Sequence, residues 1–102
     1  MSDEINEITP EELEQELNSG KYEIVDVRED DEVANGMIPG ATHIALNTIP
    51  ERIDELNKDK EYVMVCRSGR RSYNASLYLQ EQGYKVHNLK GGMLEWTGEV
   101  IA

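Results

Sequence analysis

The residues best equipped for chemistry sit together. Cys66 is the only cysteine of the 102-residue chain, and Arg67, Ser68, Gly69, Arg70, Arg71 and Ser72 follow it directly. The thiolate is the nucleophilic form of cysteine. Cationic neighbours or a helix N-terminus lower its pKa from about 8.5 into the range of roughly 3.5–7.5. Small Ser68 and Gly69 let the backbone curl so that successive N–H groups point inward as an anion-binding nest. An isolated cysteine is most often an inert core filler, so it is the surrounding loop that singles Cys66 out.

Loop length narrows the chemistry. Four residues separate Cys66 from Arg71, whereas cysteine phosphatases use C-x5-R, one residue more, to ring a phosphate with N–H groups. The shorter bowl suits a single charged sulfur on the cysteine, a persulfide, better than a phosphoryl group. A phosphatase or arsenate reductase therefore ranks below a sulfur-handling reaction. No general base is needed, because a preformed thiolate attacks sulfane sulfur without removing a proton. His43 and His87 lie in strand-like stretches with no partner apparent in the sequence and are read as structural.

Charge points to the same loop. The chain has 10 basic and 21 acidic side chains, a formal net charge of −11. Residues 1–61 hold 18 of the acids and 5 of the bases, while residues 62–102 hold 3 acids and 5 bases. Three of those five are Arg67, Arg70 and Arg71. Arginines in the first turn of a helix oppose its dipole, which favours acids there. Their placement points to an anionic ligand rather than to local stability. The acidic total argues against nucleic acid or an anionic membrane as a partner.

The elements that must position the loop follow from residue pattern. Tyr62-Val63-Met64-Val65 is a continuous apolar run, as in a strand buried on both faces of a parallel sheet. After the loop comes a helix through Tyr73, Leu77 and Gln80, stopped by Gly83. Ile24-Val25-Asp26-Val27 and residues 84–89 read as strands, and His43-Ile44-Ala45-Leu46 as a short extended piece. Thr9-Pro10-Glu11-Glu12 is a capped helix start, with Leu13 and Leu17 at helical spacing and Gly20 at its end. Ile49, Ile53 and Leu56 space as one face of a helix. Gly91-Gly92 is a tight turn into a last helical turn, with Met93 and Trp96 in the core. Glu29-Asp30-Asp31-Glu32 reads as solvated helix surface, and Ser72 as a helix cap whose hydroxyl can reach the loop. Strands alternating with helices predict an α/β domain with a mainly parallel sheet covered on both faces. Ligands of such folds sit beyond the carboxyl ends of the strands, where Cys66 lies.

Taken in order, Val25-Asp26-Val27-Arg28-Glu29, Gly36-Met37-Ile38-Pro39-Gly40-Ala41-Thr42-His43-Ile44, residues 65–72, Gly83-Tyr84-Lys85-Val86 and Leu89-Lys90-Gly91-Gly92-Met93 with Trp96 resemble a single-domain rhodanese, a sulfurtransferase. The resemblance spans roughly residues 5–97 of one domain over residues 1–102. It implies a five-stranded, mainly parallel sheet with helices on both faces. It implies Cys66 as nucleophile and Arg67, Ser68, Gly69, Arg70 and Arg71 as the persulfide cradle. It also implies that the Asp26 strand neighbours the 62–65 strand, bringing Asp26 and Arg28 near the loop. An ion pair or loop brace is expected of those two, with an acid/base or substrate role as the alternative. A basic residue directly after the cysteine is similar to thiosulfate-using members, so Arg67 implies thiosulfate as donor. Met37 departs from the family, which often has histidine there; the departure bears on local packing.

The expected activity is a two-step transfer from thiosulfate to Cys66 and on to cyanide or a thiol. No metal or organic cofactor is implied. A persulfide carrier serving a partner protein, and a binding module without chemistry, are the alternatives. Leu, Ile, Val and Phe make up 23 residues of the 102, just above the ~20% below which a highly charged chain is disordered. No apolar run approaches the ~18 residues of a membrane span. Met1-Ser2-Asp3-Glu4 is acidic where a signal peptide is basic. With one cysteine and no such segments, the expected compartment is the reducing cytoplasm. The expected state is a monomer, since no long apolar stripe remains once the core is assigned.

Overall fold

Strand β4 (Glu61–Val65) is the centre of the molecule and the element that delivers Cys66. The computed structural model describes residues 4–101. Met1-Ser2-Asp3, part of the acidic start, and Ala102 at the expected domain end lie outside them. β4 belongs to a five-stranded sheet with β1 (Asn6–Ile8), β2 (Glu23–Asp26), β3 (Thr42–His43) and β5 (Lys85–Leu89), in the order β1-β5-β4-β2-β3. Every strand pair is parallel. The crossovers carry helices α1 (Pro10–Gln15), α2 (Asp30–Val33), α3 (Ile49–Arg52) and α4 (Arg70–Glu81).

The two faces of β4 feed two cores. Tyr62, Met64 and Cys66 join Val25, Ala75, Leu79 and Val86 on one side. Val63 and Val65 join Ile8, Leu13, Ile24, Leu89 and Trp96 on the other. This period-2 division explains why the run has no polar face. Burying each such side chain contributes about 1.5–3 kcal/mol, and Val63, Met64 and Val65 are all 0% exposed. The loop after β4 is thus anchored at its first residue by a rigid strand.

Helix α4 anchors the other end. It starts at Arg70, with Gly69 at its N-cap in the left-handed region at φ 95°. Its inner face is Ser72, Ala75, Ser76 and Leu79, small residues that let the helix lie close to β4 and β5. Tyr73 faces outward, and Leu77 and Gln80 are half-buried. The Ser76 hydroxyl donates to the Ser72 carbonyl at 2.7 Å. Ser72 is therefore a third helical residue rather than a cap, and its side chain points into the protein.

Helix α1 begins as its sequence predicts. The Glu12 N–H donates to Thr9 Oγ1 at 3.1 Å and the Thr9 N–H to Glu12 Oε1 at 2.9 Å. It ends at Gln15 rather than at Gly20: the Leu17 and Ser19 N–H groups close tighter turns on the Glu14 and Glu16 carbonyls, and the Ser19 hydroxyl also donates to the Glu16 carbonyl at 2.9 Å. Residues 43–46 do not form one extended piece: the strand is Thr42–His43, and a 3-10 turn begins at Leu46. The helix expected over 49–56 is split into α3 and a 3-10 turn at Ile53–Glu55, yet Ile49, Ile53 and Leu56 still pack on one core. Edge strand β1, which the sequence pattern does not mark, buries only Ile8. Beyond Trp96 the chain returns: Met37 and Ile101 form an antiparallel bridge with N–H to O distances of 2.8 and 2.9 Å. No described helix is long and apolar enough to cross a membrane.

Candidate active site

The sulfur of Cys66 lies where β4 ends and α4 begins, and Cys66 has no exposed surface. The Gly69 N–H donates to Sγ at 3.0 Å and the Ser72 hydroxyl lies 3.2 Å from it. Burial pushes the thiol up. The Ser72 hydroxyl and the backbone N–H groups of Ser72, Gly69 and Ser68 together outweigh burial, so the thiol titrates below its ordinary value. The loop can therefore hold negative charge on sulfur with neutral dipoles alone.

A second turn shapes this bowl from outside. The Met93 N–H donates to the Cys66 carbonyl at 2.8 Å, and the Leu94 N–H to the Arg67 carbonyl at 2.9 Å. In a planar trans peptide the N–H points opposite to the C=O. The N–H groups of Arg67 and Ser68 are thereby turned away from residues 92–94, and that of Ser68 faces the sulfur. Gly92 permits the approach. A Cβ there would lie 2.5 Å from the Cys66 carbonyl oxygen and 2.6 Å from that of Arg67, and its φ is +59°. Gly91-Gly92 is indeed a turn into a short helical segment, Gly92–Glu95, which here is a 3-10 helix. Trp96 is buried and Met93 packs against the second core, as expected.

The three arginines of the loop have different fates. Arg71 binds Glu32 of α2 through two bonds, Nη1 to Oε1 at 2.7 Å and Nη2 to Oε2 at 2.8 Å. Glu32 Oε1 also accepts the Glu29 N–H at 3.0 Å. This arginine holds the Glu32 carboxyl down at about 2. Glu32 first, with the Cys66 sulfur among the lesser contributors, holds Arg71 above its ordinary value. The 29–32 cluster is therefore not simply solvated surface: Glu32 ties α2 to the start of α4. Arg67 and Arg70 are exposed and have no partner among the described residues. A cleft of about 310 Å³ at Arg70 is lined by Glu7, Ser68, Gly69, Tyr73, Asn74, Asn88 and Gly91 as well.

Asp26 and Arg28 form a closed brace. Asp26 pairs with Val65 across the sheet, one residue from Cys66. Arg28 Nη2 donates to Asp26 Oδ2 at 2.8 Å and to the Gly36 carbonyl at 2.8 Å, while Arg28 Nε and the Arg28 N–H reach Asp26 Oδ1, each at 3.0 Å. Both residues are buried. The histidines do have partners. His43 Nε2 is 2.6 Å from the Arg28 carbonyl. His87 Nε2 is 3.1 Å from Glu61, and its ring meets Tyr22 edge-on.

Two functional neighbours escape a reading of the sequence. Glu32 carries no local signal, since its partner lies 39 residues away. Asn88 does carry one: it shares the inward face of β5 with Val86, and a polar residue at such a position is informative. Asn88 is 2% exposed. Its Oδ1 is 2.5 Å from the Ser72 hydroxyl, and its Nδ2 donates to the Gly69 carbonyl at 2.9 Å.

Comparison with known proteins agrees with this geometry. The family model of the rhodanese-like domain matches residues 9–99. The protein YtwF of Bacillus subtilis is 52% identical over 97 residues, covering 94% of each chain. The thiosulfate sulfurtransferase GlpE of Pseudomonas aeruginosa is 34% identical over 97 residues, covering 94% of this chain and 87% of its own. A crystal structure of a rhodanese-like domain protein from Staphylococcus aureus superposes with a TM-score of 0.90 at 39% identity, covering 95% of this chain and 97% of that one. The cysteine-bearing bowl after the central strand, the five-stranded parallel sheet and these matches place the chain in the rhodanese-like domain family, among relatives named sulfurtransferases.

Proposed function

We propose that this protein is a thiosulfate sulfurtransferase with Cys66 as nucleophile. One observation carries the reading: the Cys66 sulfur receives the Gly69 N–H at 3.0 Å beneath two exposed arginines, Arg67 and Arg70, that have no partner among the described residues. Such a site offers a thiolate to a small dianion and a place for the charge that results.

In the first step the Cys66 thiolate attacks the outer sulfur of thiosulfate. A Cys–S–S bond forms, the S–S bond of thiosulfate breaks, and its electron pair leaves with sulfite. One negative charge remains on the outer sulfur of the persulfide. The inward N–H groups of the cradle, Arg67, Ser68, Gly69, Arg70 and Arg71, hold that charge. In the second step cyanide or a thiolate attacks the outer sulfur, taking it as thiocyanate or as a new persulfide, and the Cys66 thiolate returns. No proton moves in either step, which suits a site with no histidine at the sulfur. Since Cys66 is fully buried in the resting loop, the donor reaches it when the rim side chains part. Arg67 and Arg70 guide thiosulfate there, and Arg71 stays fixed by Glu32.

Steady-state kinetics test the proposal. Thiosulfate with cyanide should yield thiocyanate in a ping-pong pattern, faster than mercaptopyruvate or a cysteine persulfide as donor. Loading from a cysteine persulfide with no turnover of thiosulfate contradicts the donor. Hydrolysis of an aryl phosphate contradicts the reaction class.

A further inference from the structure

Cys66 Sγ and Asn88 Oδ1 flank one hydroxyl, that of Ser72. Ser72 Oγ is 3.2 Å from Cys66 Sγ and 2.5 Å from Asn88 Oδ1. A serine hydroxyl has one hydrogen to donate, so it serves one neighbour at a time. Asn88 cannot escape the competition by turning its amide over. Its Nδ2 donates to the Gly69 carbonyl at 2.9 Å, and a flipped amide would set two carbonyl oxygens face to face. Ser72 is 0% and Asn88 2% exposed, so no bulk water relieves whichever acceptor is left without the proton.

We propose that Asn88 is a positioning residue for sulfur transfer, competing with the Cys66 sulfur for the single Ser72 proton. With a neutral thiol, Ser72 donates to Asn88, and the thiol hydrogen faces the Ser72 oxygen. With a thiolate, the Ser72 hydroxyl turns to the sulfur and Asn88 Oδ1 loses its donor. Once a second sulfur is attached, the charge lies one atom farther out, against the N–H groups of the loop, and the hydroxyl returns to Asn88. Asn88 therefore weakens the hold of Ser72 on the bare thiolate but takes nothing from the persulfide, favouring the loaded form. The same asparagine holds the carbonyl of Gly69, whose N–H touches the sulfur. It thus acts on both ends of the cradle.

The charged groups around Cys66 do not replace this device. From α4 come Arg70, which is exposed, and Arg71, which is held by Glu32 of α2. Glu29 of the same turn is exposed. From β2 come Asp26 and Arg28, closed on one another. His87 of β5 is bound to Glu61, and the loop itself adds only exposed Arg67. From the 92–95 turn comes Glu95, also exposed. Ser72 is the uncharged side chain in direct reach of the sulfur, and Asn88 stands behind it.

The inference rests on the proposed role of Cys66. Its test is separate: thiolate ultraviolet absorbance is titrated in the whole protein with no sulfur donor present, so sulfur loading can succeed or fail independently. Asn88→Ala frees the hydroxyl for the sulfur and should raise the ionisation constant of Cys66 by about fivefold, the worth of one ordinary hydrogen bond. Ser72→Ala should lower the constant, and adding Asn88→Ala to Ser72→Ala should then change it much less than it does in the wild type. A lowered or unchanged constant in Asn88→Ala, or an equal effect with and without Ser72, overturns the proposal. Asn88→Asp serves if the alanine variant does not fold. Its fall in ionisation constant should be larger with Ser72 present than with Ser72→Ala, and equal falls would also overturn the competition.

Discussion

Two neighbouring strands end in loops built from similar residues, and the loops do opposite things. Where β2 ends, Asp26 and Arg28 are buried and direct their hydrogen bonds to each other, to the Gly36 carbonyl and, through the Arg28 carbonyl, to His43. After β4, the N–H groups of the loop converge on one sulfur, and Arg67 and Arg70 stand exposed without a partner among the described residues. An arginine near an acid is therefore no mark of a site by itself. The β2 loop is saturated and can only brace. The β4 loop keeps donors and charge unspent, and such groups are what an incoming anion can use. Arg71 lies between the two behaviours: Glu32 fixes its position, and the Cys66 sulfur is among the lesser groups that hold its charge.

The largest expected effect breaks the brace. Asp26→Ala leaves the Arg28 guanidinium buried without its carboxylate, which destabilises the fold by about 3–5 kcal/mol, read as a fall in urea midpoint. Replacing Arg28 by Met in the same chain should restore part of the loss. Sulfur loading per folded molecule should persist in both. If loading disappears while the fold survives, the β2 loop takes part in the chemistry and the contrast fails.

Next comes the hydroxyl at the sulfur. Ser72→Ala removes a hydrogen bond to a charged group, and the thiolate titration midpoint should rise by about one pH unit. The Cys66 thiol sits below its ordinary value, so loading in the wild type should hold as pH falls below that value and decline through the lowered pKa. In Ser72→Ala the decline should begin at higher pH. Coincident pH–rate profiles would deny Ser72 any hold on the sulfur.

A smaller effect belongs to Glu32. Its carboxyl is lowered from an ordinary value of 4.5 to about 2 by Arg71. A carboxyl depressed in the folded state contributes in full above its unfolded pKa and loses the contribution as pH falls toward the folded one. The stability difference between wild type and Glu32→Gln should thus be about 1 kcal/mol at neutral pH for this partly exposed pair. It should shrink between pH 4.5 and about 2. A difference that is constant with pH would mean the ion pair contributes nothing.

The smallest effects sharpen the open loop. Arg67→Ala and Arg70→Ala should each raise the KM for thiosulfate by about threefold, in keeping with an exposed charge worth 0.2–1 kcal/mol. The increase should fade with added salt. Stability should change by less than about 0.5 kcal/mol. A loss of stability with KM unchanged would reassign these arginines to bracing.

The contrast between the loops was only half legible in the sequence. Local patterns placed β2, β4, β5 and α4, because a continuous apolar run, a period-2 alternation and a glycine stop are written in adjacent residues. The capping box at Thr9 and Glu12 is equally local, and the structure contains it. The 42–56 segment read less well: its apolar spacing correctly marked one buried face, but its backbone changes between strand, 3-10 and α forms within a few residues. Strand β1 buries one side chain of three and so leaves no pattern. The identities of Cys66 and its arginines were plain, whereas their division into free and paired was not. That division depends on Glu32, which reaches Arg71 from α2, and the support of Ser72 and Gly69 depends on Asn88 from β5. Nothing beside Glu32 in the chain announces Arg71. Asn88 is marked only as a polar residue on an inward strand face.

The most direct test of the account is intact-protein mass spectrometry after treatment with thiosulfate. The wild type should gain the mass of a single sulfur, located on Cys66, and lose it on addition of cyanide. Cys66→Ser should gain nothing. A wild type that gains no sulfur, or a Cys66→Ser variant that gains it equally, would contradict the assignment of Cys66 as the sulfur-carrying residue.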